Sequence, residues 1–369
     1  MSAWVRNKAA SALAVTAAVC GCSTVTIIDG RERPDEEAPA GTGGASPGSS
    51  GSSNARLAAS SSASVTAGAG GEGQGGSASG LLTVLATGLT QPAQIEVVGD
   101  DLYVTETGLF PGDGALARVP KQGGALERVV PNQAHPWGLS VADGYVYWSN
   151  ASFPGAVLRL SITDGAVDTL VDGLDTPTAV AFDAGVLFTA EIFTGRILGV
   201  HADFTVDEIA TGQGHPFNIA ADGGVMVFHA APNSEGPHAL RRYEDGVVSD
   251  LYADVAEPRG LIVDGDDVYF GTVSGELIRG STSGAPLETL VSLGEEIFDT
   301  TIADGYLYFA ALWAGSVGRV PTGGGPVEII ATDQGILRGI AVDDDAIYWA
   351  REDSGGPVEQ AGSVVRLTK

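Results

Sequence analysis

From residue 81 onward the chain alternates between short apolar runs and short polar interruptions. The apolar runs are rich in Val, Ile, Leu and Tyr, and the interruptions are rich in Gly, Asp and Pro. No stretch repeats its apolar residues at the helical spacing over several turns. Short β-branched and aromatic runs bounded by turn-forming residues are typical of β-strands. The pattern therefore predicts an all-β domain built from many short strands.

An apolar residue followed by an aromatic residue recurs seven times, at intervals of 39 to 44 residues. A turn signal containing Asp or Gly lies just before each pair, and a further apolar run, often opened by proline, lies before the turn. Recurrence at a nearly constant period indicates a repeat architecture, in which every unit is one supersecondary element. The pairs are Leu102-Tyr103, Val146-Tyr147, Leu187-Phe188, Val227-Phe228, Val268-Tyr269, Leu307-Tyr308 and Ile347-Tyr348.

Each repeat reads as four antiparallel strands, named A to D in chain order. A lone four-stranded sheet cannot bury both faces, whereas radial packing of such sheets into a β-propeller buries them. Residues 81–369 fit seven units of about 41 residues, whereas six blades would need units of about 48. The last repeat stops after strand C, at residues 363–367, and residues 82–86 precede the first repeat as an unattached strand. We expect this strand to supply the missing strand D and close a seven-bladed propeller.

The first 21 residues have the pattern of a signal peptide. Arg6 and Lys8 give a positive start, and residues 9–19 form an apolar stretch too short to span a bilayer. The stretch ends in Val19-Cys20-Gly21-Cys22, which resembles the bacterial lipobox with Cys22 as the lipidated residue. The alternative is an ordinary signal peptide with incidental cysteines. The resemblance predicts a lipoprotein of the bacterial cell envelope, on the periplasmic face or surface of the outer membrane.

Residues 22–80 lack the strand pattern. From residue 41 to residue 80 the chain is almost entirely Gly, Ser, Ala and Thr. Such a segment cannot bury enough apolar surface to offset the entropy lost on ordering. We therefore predict a signal peptide at 1–21, a disordered tether at 22–80 and the propeller at 81–369. Since both cysteines, Cys20 and Cys22, lie far before residue 81, we expect no disulfide and no thiolate chemistry in the propeller.

The propeller is strongly acidic. The whole chain has a net charge of −27, and the 40 acidic and 14 basic residues of 81–369 leave −26. A surface of this sign repels phosphate backbones, which argues against binding of nucleic acid. We expect contact with a membrane through the N-terminal lipid only, and a monomeric protein.

Two repeats carry a recognisable motif. Tyr147-Trp148-Ser149-Asn150 and Tyr348-Trp349 resemble the repeats of YWTD propellers, and the units as a whole resemble YWTD and NHL-type repeats across 81–369. The resemblance implies the propeller fold. It implies little about function, because these families include receptors, scaffolds, lactonases and lyases.

Polar residues collect at one predicted mouth of the central channel. Strand A lines the channel in such blades, and the start of strand A lies beside the end of the antiparallel strand B. In the sixth repeat, which lacks the usual proline, this assignment places Ile297 at the start of strand A. The resulting candidates are His135, His215 and Glu257 at the starts of strands A, Asn218 just inside one strand, and Glu106 and Glu191 at the ends of strands B.

Two families suggest chemistry for these residues. The blade number and the mouth histidines and glutamates resemble the virginiamycin B lyase family, which implies a His/Glu and metal site. Gluconolactonase and paraoxonase-like propellers imply Ca²⁺ held by Glu, Asn and Asp instead. On these resemblances, Glu106, Glu191 and Asn218 are predicted to bind a divalent cation, Ca²⁺ or Mg²⁺. His135 and His215 are the predicted catalytic residues.

A structural explanation remains open for each candidate. A histidine before proline can simply hold a backbone hydrogen bond, and polar groups at a wet mouth need no ligand. His229 and His238 are predicted to be incidental. The sequence thus predicts an extracytoplasmic ligand-binding or protein-interaction module for an envelope protein, a peptide, a glycan or a small polar molecule. The alternatives are a metal-dependent lyase or lactonase-type hydrolase and a passive envelope scaffold.

Overall fold

A computed structural model describes residues 80–232, 236–352 and 362–369. Within these ranges the chain is all-β and forms 28 strands in seven four-stranded sheets. No helix in this part of the chain has the length and hydropathy needed to cross a membrane. The predicted signal peptide, the predicted lipidation site Cys22 and all of the predicted tether except Gly80 lie outside the described residues.

The seven sheets are the blades, and the strands of each blade follow one another from the channel outward. Blade 1 contains β2 (Pro92–Val98), β3 (Asp101–Glu106), β4 (Gly114–Pro120) and β5 (Glu127–Gln133). Blade 2 contains β6 (Pro136–Ala142), β7 (Tyr145–Asn150), β8 (Gly155–Ser161) and β9 (Val167–Leu174). Blade 3 contains β10 (Pro177–Asp183), β11 (Val186–Glu191), β12 (Arg196–His201) and β13 (Val206–Ala210).

The remaining blades have the same order. Blade 4 contains β14 (Ile219–Asp222), β15 (Val225–Ala230), β16 (His238–Glu244) and β17 (Val247–Val255). Blade 5 contains β18 (Pro258–Asp264), β19 (Asp267–Thr272), β20 (Glu276–Ser281) and β21 (Glu288–Ser292). Blade 6 contains β22 (Ile297–Ala303), β23 (Tyr306–Ala311), β24 (Ser316–Pro321) and β25 (Glu328–Ala331). Blade 7 contains β26 (Ile336–Val342), β27 (Ala346–Glu352), β28 (Gly362–Thr368) and β1 (Leu82–Leu89).

Strand β1 closes the ring. It pairs antiparallel with β28, and Leu82 lies opposite Leu367 while Thr87 lies opposite Ser363. The strands A of neighbouring blades contact one another all the way round, including the strands A of blades 7 and 1. The prediction of a seven-bladed propeller of four-stranded antiparallel blades, closed by the N-terminal strand, is confirmed.

The core lies between blades rather than inside them. Tyr103 of blade 1, for example, belongs to one buried cluster with Leu139, Val146 and Trp148 of blade 2. This packing explains the recurring aromatic residue of strand B, because each blade needs a large apolar group to fill the wedge against its neighbour. The Asp/Gly turns that precede strand B are tight. Asp143 and Gly144 have φ angles of 50° and 80°, the left-handed values of a two-residue hairpin turn.

The starts of strands A and the ends of strands B meet at one end of the ring, together with the loops between strands B and C. We call this end the B–C face and the opposite end the A–B face. In blades 1, 2, 3, 5 and 6, the carbonyl of the residue before strand A accepts a hydrogen bond from the first B–C loop amide of its own blade. Glu257 O accepts from Val273 N at 3.2 Å, and Glu296 O accepts from Leu312 N at 2.8 Å.

Candidate functional site

A ring of seven residues, one from each blade, lies near the B–C face. In five blades they are the second residue of strand A, whereas Phe217 precedes β14 and Arg338 is the third residue of β26. Trp137 packs edge-on against Phe217 at 6.1 Å and against Phe298 at 6.3 Å between ring centroids. Rings from blades 2, 4 and 6 thus meet across the channel. The seven residues are Ala93, Trp137, Thr178, Phe217, Arg259, Phe298 and Arg338.

The aromatic members of this ring border a cavity of about 450 Å³, formed by successive positions of the strands A. Glu96 and Asp299 line this cavity. Burial raises the pKa of Glu96 to about 8, and the neighbouring Asp299 adds to the rise. Burial also raises the pKa of Asp299 to about 7, against hydrogen bonds from the Ile340 and Thr300 amides. Sequence reasoning missed both carboxylates, which lie deeper in the channel than the residues that were predicted.

Two predicted ligands, Glu106 and Glu191, are engaged inside their own blades. Both side chains are fully buried. Glu106 accepts from Nε and Nη2 of Arg128, at 2.6 and 3.1 Å. Glu191 is held by Arg196 and by Thr194, whose hydroxyl donates at 2.6 Å. These buried carboxylates are therefore paired with arginines that are themselves partly exposed.

The pKa values of the two carboxylates differ although their positions are equivalent. Burial raises the pKa of Glu106, against the hydrogen bonds and charge of Arg128. At Glu191 burial acts in the same direction, but hydrogen bonds from Arg196, Thr194 and the Asp175 amide outweigh it and lower the pKa. Glu191 therefore has the more saturated hydrogen-bond shell.

The third predicted ligand, Asn218, donates through Nδ2 to the carbonyl of Pro258 at 2.9 Å and so joins blade 4 to blade 5. Glu106, Glu191 and Asn218 therefore each have a partner of their own. Among the described residues, no group of three or more His, Cys, Asp or Glu side chains is arranged to hold a metal ion. In the described part of the chain these three residues do not form a shared set of cation ligands, and the divalent cation stays a prediction.

The two predicted catalytic histidines have simple contacts. His135 has a φ of 55° and lies with Nδ1 3.1 Å from the carbonyl of Thr107, so Nδ1 donates there. His215 packs edge-on against Phe193, with 5.9 Å between ring centroids. The contact of His135 matches the structural explanation for a histidine before proline. A catalytic role for either histidine stays a prediction.

A charged cluster lies at the mouth in blades 4 and 5. Glu257 Oε1 is 2.6 Å from Nη1 of Arg259, and Glu257 Oε2 is 3.9 Å from Nε2 of His238. His238 Nδ1 lies 2.9 Å from Nε2 of His229. The guanidinium of Arg259 also stacks over the ring of Phe217, at 5.0 Å. Of the sequence candidates, only Glu257 belongs to this chain of contacts, and two histidines predicted to be incidental complete it.

Both histidines of the cluster are neutral at pH 7. Burial lowers the pKa of His229 to about 3, with further contributions from His238, Arg259 and His215. Burial lowers the pKa of His238 as well, against the charge of Glu257. The one hydrogen bond between the two rings therefore joins a neutral donor to a neutral acceptor.

Blade 6 extends the cluster through Glu296. Trp313 Nε1 donates to Glu296 Oε2 at 3.1 Å, and Arg259 Nε lies 3.8 Å from Glu296 Oε1. Ile297 pairs with Ala311 as Pro258 pairs with Thr272, so the position before strand A belongs to Glu296. Ile297, which the sequence placed at the start of strand A, is the first residue of β22, and the sequence did not single out Glu296 before it. Because no proline marks the start of strand A in blade 6, the sequence did not define the register of that strand.

At the centre of the mouth, in blades 5 to 7, the carboxylates are more exposed than the two arginines that pair with them. Side chains of Glu257, Glu296 and Glu352 are 27%, 18% and 17% exposed, whereas those of Arg259 and Arg338 are each only 5% exposed. Arg338 Nη2 lies 3.0 Å from Glu352 Oε1. Arg259 and Arg338 are therefore less accessible to solvent than the carboxylates that pair with them.

Exposed aromatic side chains surround this mouth. Each lies on a B–C loop, in blades 1, 2, 3 and 6, and Val273 adds an apolar side chain in blade 5. The exposed fractions are 64% for Phe110, 77% for Phe153, 42% for Phe193 and 55% for Trp313. The B–C face thus combines a polar centre with an aromatic rim.

No family model and no curated protein matches the chain. Solved structures do match. Catalytically inactive virginiamycin B lyase from Staphylococcus aureus, solved with quinupristin, is 17% identical with a TM-score of 0.62, covering 79% of this chain and 99% of that one. A chain of the nidogen/laminin complex is 18% identical, with a TM-score of 0.51 and coverage of 69% and 98%. A computationally designed protein is 16% identical, with a TM-score of 0.52 and coverage of 74% and 82%.

These similarities establish the propeller fold and nothing finer. An enzyme, a chain of a protein complex and a designed protein share the architecture, so the fold is compatible with either binding or catalysis. Any finer functional assignment depends on the residues of the mouth.

Proposed function

We propose that this protein is an extracytoplasmic, lipid-anchored propeller that binds a partner molecule at its B–C face. The observation that carries the proposal is the aromatic rim, since four blades expose a large ring on the same face. Exposed apolar surface bordered by polar groups is typical of interaction sites. Aromatic residues and arginine are enriched in binding interfaces, where they contribute most of the affinity.

A second candidate is acid–base catalysis at the same mouth, of the lyase or lactonase type. The observation that favours it is the position of His238, which lies between the Glu257 carboxylate and His229. A histidine oriented by a carboxylate can move a proton. Turnover of a lactone or cyclic depsipeptide by the wild type, lost in His238→Gln, would favour this candidate. Absence of turnover across such a panel leaves the binding function.

Photo-crosslinking tests the binding face in cells. A photoreactive phenylalanine analogue at position 193 is expected to form a defined adduct with the partner, because Phe193 lies on the rim. Position 204 is the matched control. Phe204 is on the same blade and is 46% exposed, against 42% for Phe193, but it lies in the C–D turn at the A–B face. Equal adducts at both positions, or adducts at 204 alone, would contradict the proposal.

The lipid anchor has its own test. Cells expressing the full chain with Cys22→Ser are expected to incorporate no labelled palmitate into the protein, because the acceptor thiol is gone. Cys20→Ser is the matched control and is expected to keep the label. Equal labelling of the wild type and Cys22→Ser would rule out Cys22 as the lipidated residue.

A further inference from the structure

We infer that the centre of the B–C face recognises a cationic side chain, that of Lys or Arg in a peptide, between Glu257, Glu296 and Trp313. This inference rests on the proposed binding function and names the class of partner. It follows from which charged atoms of the mouth face the solvent, from the position of Trp313, and from the aromatic rim around it.

The charge that a ligand meets at the centre of the mouth is negative. At the centre of the mouth, Arg259 and Arg338 are almost completely buried, whereas the carboxylates of Glu257 and Glu296 are partly exposed. His238 and His229 add no positive charge at pH 7, because burial lowers both of their pKa values. An approaching ligand therefore meets carboxylate oxygens first. The net charge of −26 on the propeller adds a long-range attraction for cations.

Trp313 lies beside one of these carboxylates, that of Glu296. Its Nε1 donates to Glu296 at 3.1 Å, which holds the indole beside the carboxylate while 55% of the residue stays exposed. A carboxylate next to an exposed indole is a combination that attracts ammonium and guanidinium groups, through charge and through the ring face. The mouth already contains one such arrangement, since Arg259 stacks on Phe217 beside Glu257.

The aromatic rim favours a peptide over a small amine as the ligand. A lone ammonium group would contact only the centre of the mouth. The rim carries further exposed rings at Phe110, Phe153 and Phe193, on three other blades. A chain that places a basic side chain at the centre can lay neighbouring apolar residues on these rings. Aromatic side chains around a buried anchor are the usual arrangement of a protein-binding hot spot.

The test uses the full-length protein and an immobilised hexapeptide array with randomised apolar flanks. The central position is Lys, Arg, Gln or Glu. We expect Lys and Arg peptides to bind about tenfold more tightly than the matched Gln peptides, and Glu peptides to bind least. The preference is expected to weaken at high ionic strength, because part of it is electrostatic. n-Butylamine is the small competitor, and it is expected to compete only at far higher concentration than the peptide.

Variants locate the preference. Glu296→Gln is expected to abolish the tenfold preference for Lys over Gln, and Trp313→Ala to reduce the binding of both peptides. Glu288→Gln is the matched control, because it removes the same charge from an exposed position on the outer strand of blade 5. It is expected to keep the preference. Thermal unfolding of every variant shows whether the fold is intact, and Trp313, being largely exposed, can be replaced without disturbing the core.

The outcomes separate this inference from the binding function. Binding at the rim with no preference for Lys or Arg overturns the inference and leaves the proposed function in place. A preference for Glu peptides, or for a neutral glycan offered in the same array format, also overturns it. Equal affinity for n-butylamine and the Lys peptide contradicts the peptide as ligand. Crosslinks that do not map to the B–C face contradict the proposed function itself.

Discussion

A chain that lacks residues 1–90 is expected to unfold at a much lower temperature than a chain that lacks residues 1–80. The longer deletion removes β1, which is strand D of blade 7 and pairs with β28 along most of its length. Leu85 and Leu89 of β1 are 6% and 0% exposed. Burial of each leucine contributes about 2 kcal/mol. The open ring would also expose an unpaired strand edge, which promotes aggregation.

The free energy of unfolding that is lost with β1 is large compared with that of a typical domain, which is about 5–15 kcal/mol. Thermal unfolding followed by circular dichroism, with light scattering for aggregation, measures it. Single substitutions give a matched comparison inside β1. Leu89→Ala is expected to cost about 2–5 kcal/mol, whereas Leu82→Ala should cost far less, because Leu82 is 40% exposed. Equal melting temperatures for the two deletions, or equal effects of the two substitutions, would contradict closure by β1.

Glu96→Gln is expected to stabilise the propeller at pH 9 and to change little at pH 4. The folded protein keeps the Glu96 proton up to its raised pKa of about 8, while the unfolded chain loses it near 4.5. The unfolded state therefore binds fewer protons between these values, so this group makes the wild type less stable as pH rises from 4.5 to 8. Glutamine has no charge to bury and removes that loss.

The gain at pH 9 is expected to be on the order of 3 kcal/mol, since one pKa unit corresponds to about 1.4 kcal/mol and Glu96 keeps part of its surface accessible to solvent, which reduces the full effect. Urea unfolding at pH 4 and pH 9 gives both free energies of unfolding. Glu288→Gln is the control, and its exposed side chain should give no gain that depends on pH. A Glu96→Gln variant that gains equally at both pH values would show that packing, not ionisation, is responsible.

Much of the fold could be predicted because its signals are local. The Asp-Gly turns, such as Asp143-Gly144, adopt the left-handed φ angles that a tight hairpin needs. The alternation of apolar and polar residues then marks each strand, and the period counts the blades. The sequence was less informative where such a local signal was missing. Blade 6 has no proline at the start of strand A, and the sequence did not single out Glu296, which precedes that start, or Asp299, which lies two residues after it.

The partners of the mouth residues could not be predicted, since they come from other strands. Arg128, which binds Glu106, lies on strand D of blade 1, and its contact depends on a register that the chain does not show. His229 and His238 lie on neighbouring strands of blade 4 and meet only when those strands pair. The repeat pattern placed His and Glu residues at the mouth, but it did not show which of them form ion pairs or hydrogen bonds with other side chains.

The sequence by itself determined the propeller, its seven blades and the closure by the N-terminal strand, because periodic burial and turn chemistry act between near neighbours in the chain. Only the tertiary structure decided the character of the mouth. It buried Arg259 and Arg338, left Glu257 and Glu296 facing the solvent, and placed four exposed aromatic rings around them. Those properties depend on distances between blades that are far apart in sequence, and ion pairing and exposure follow from such distances rather than from residue type.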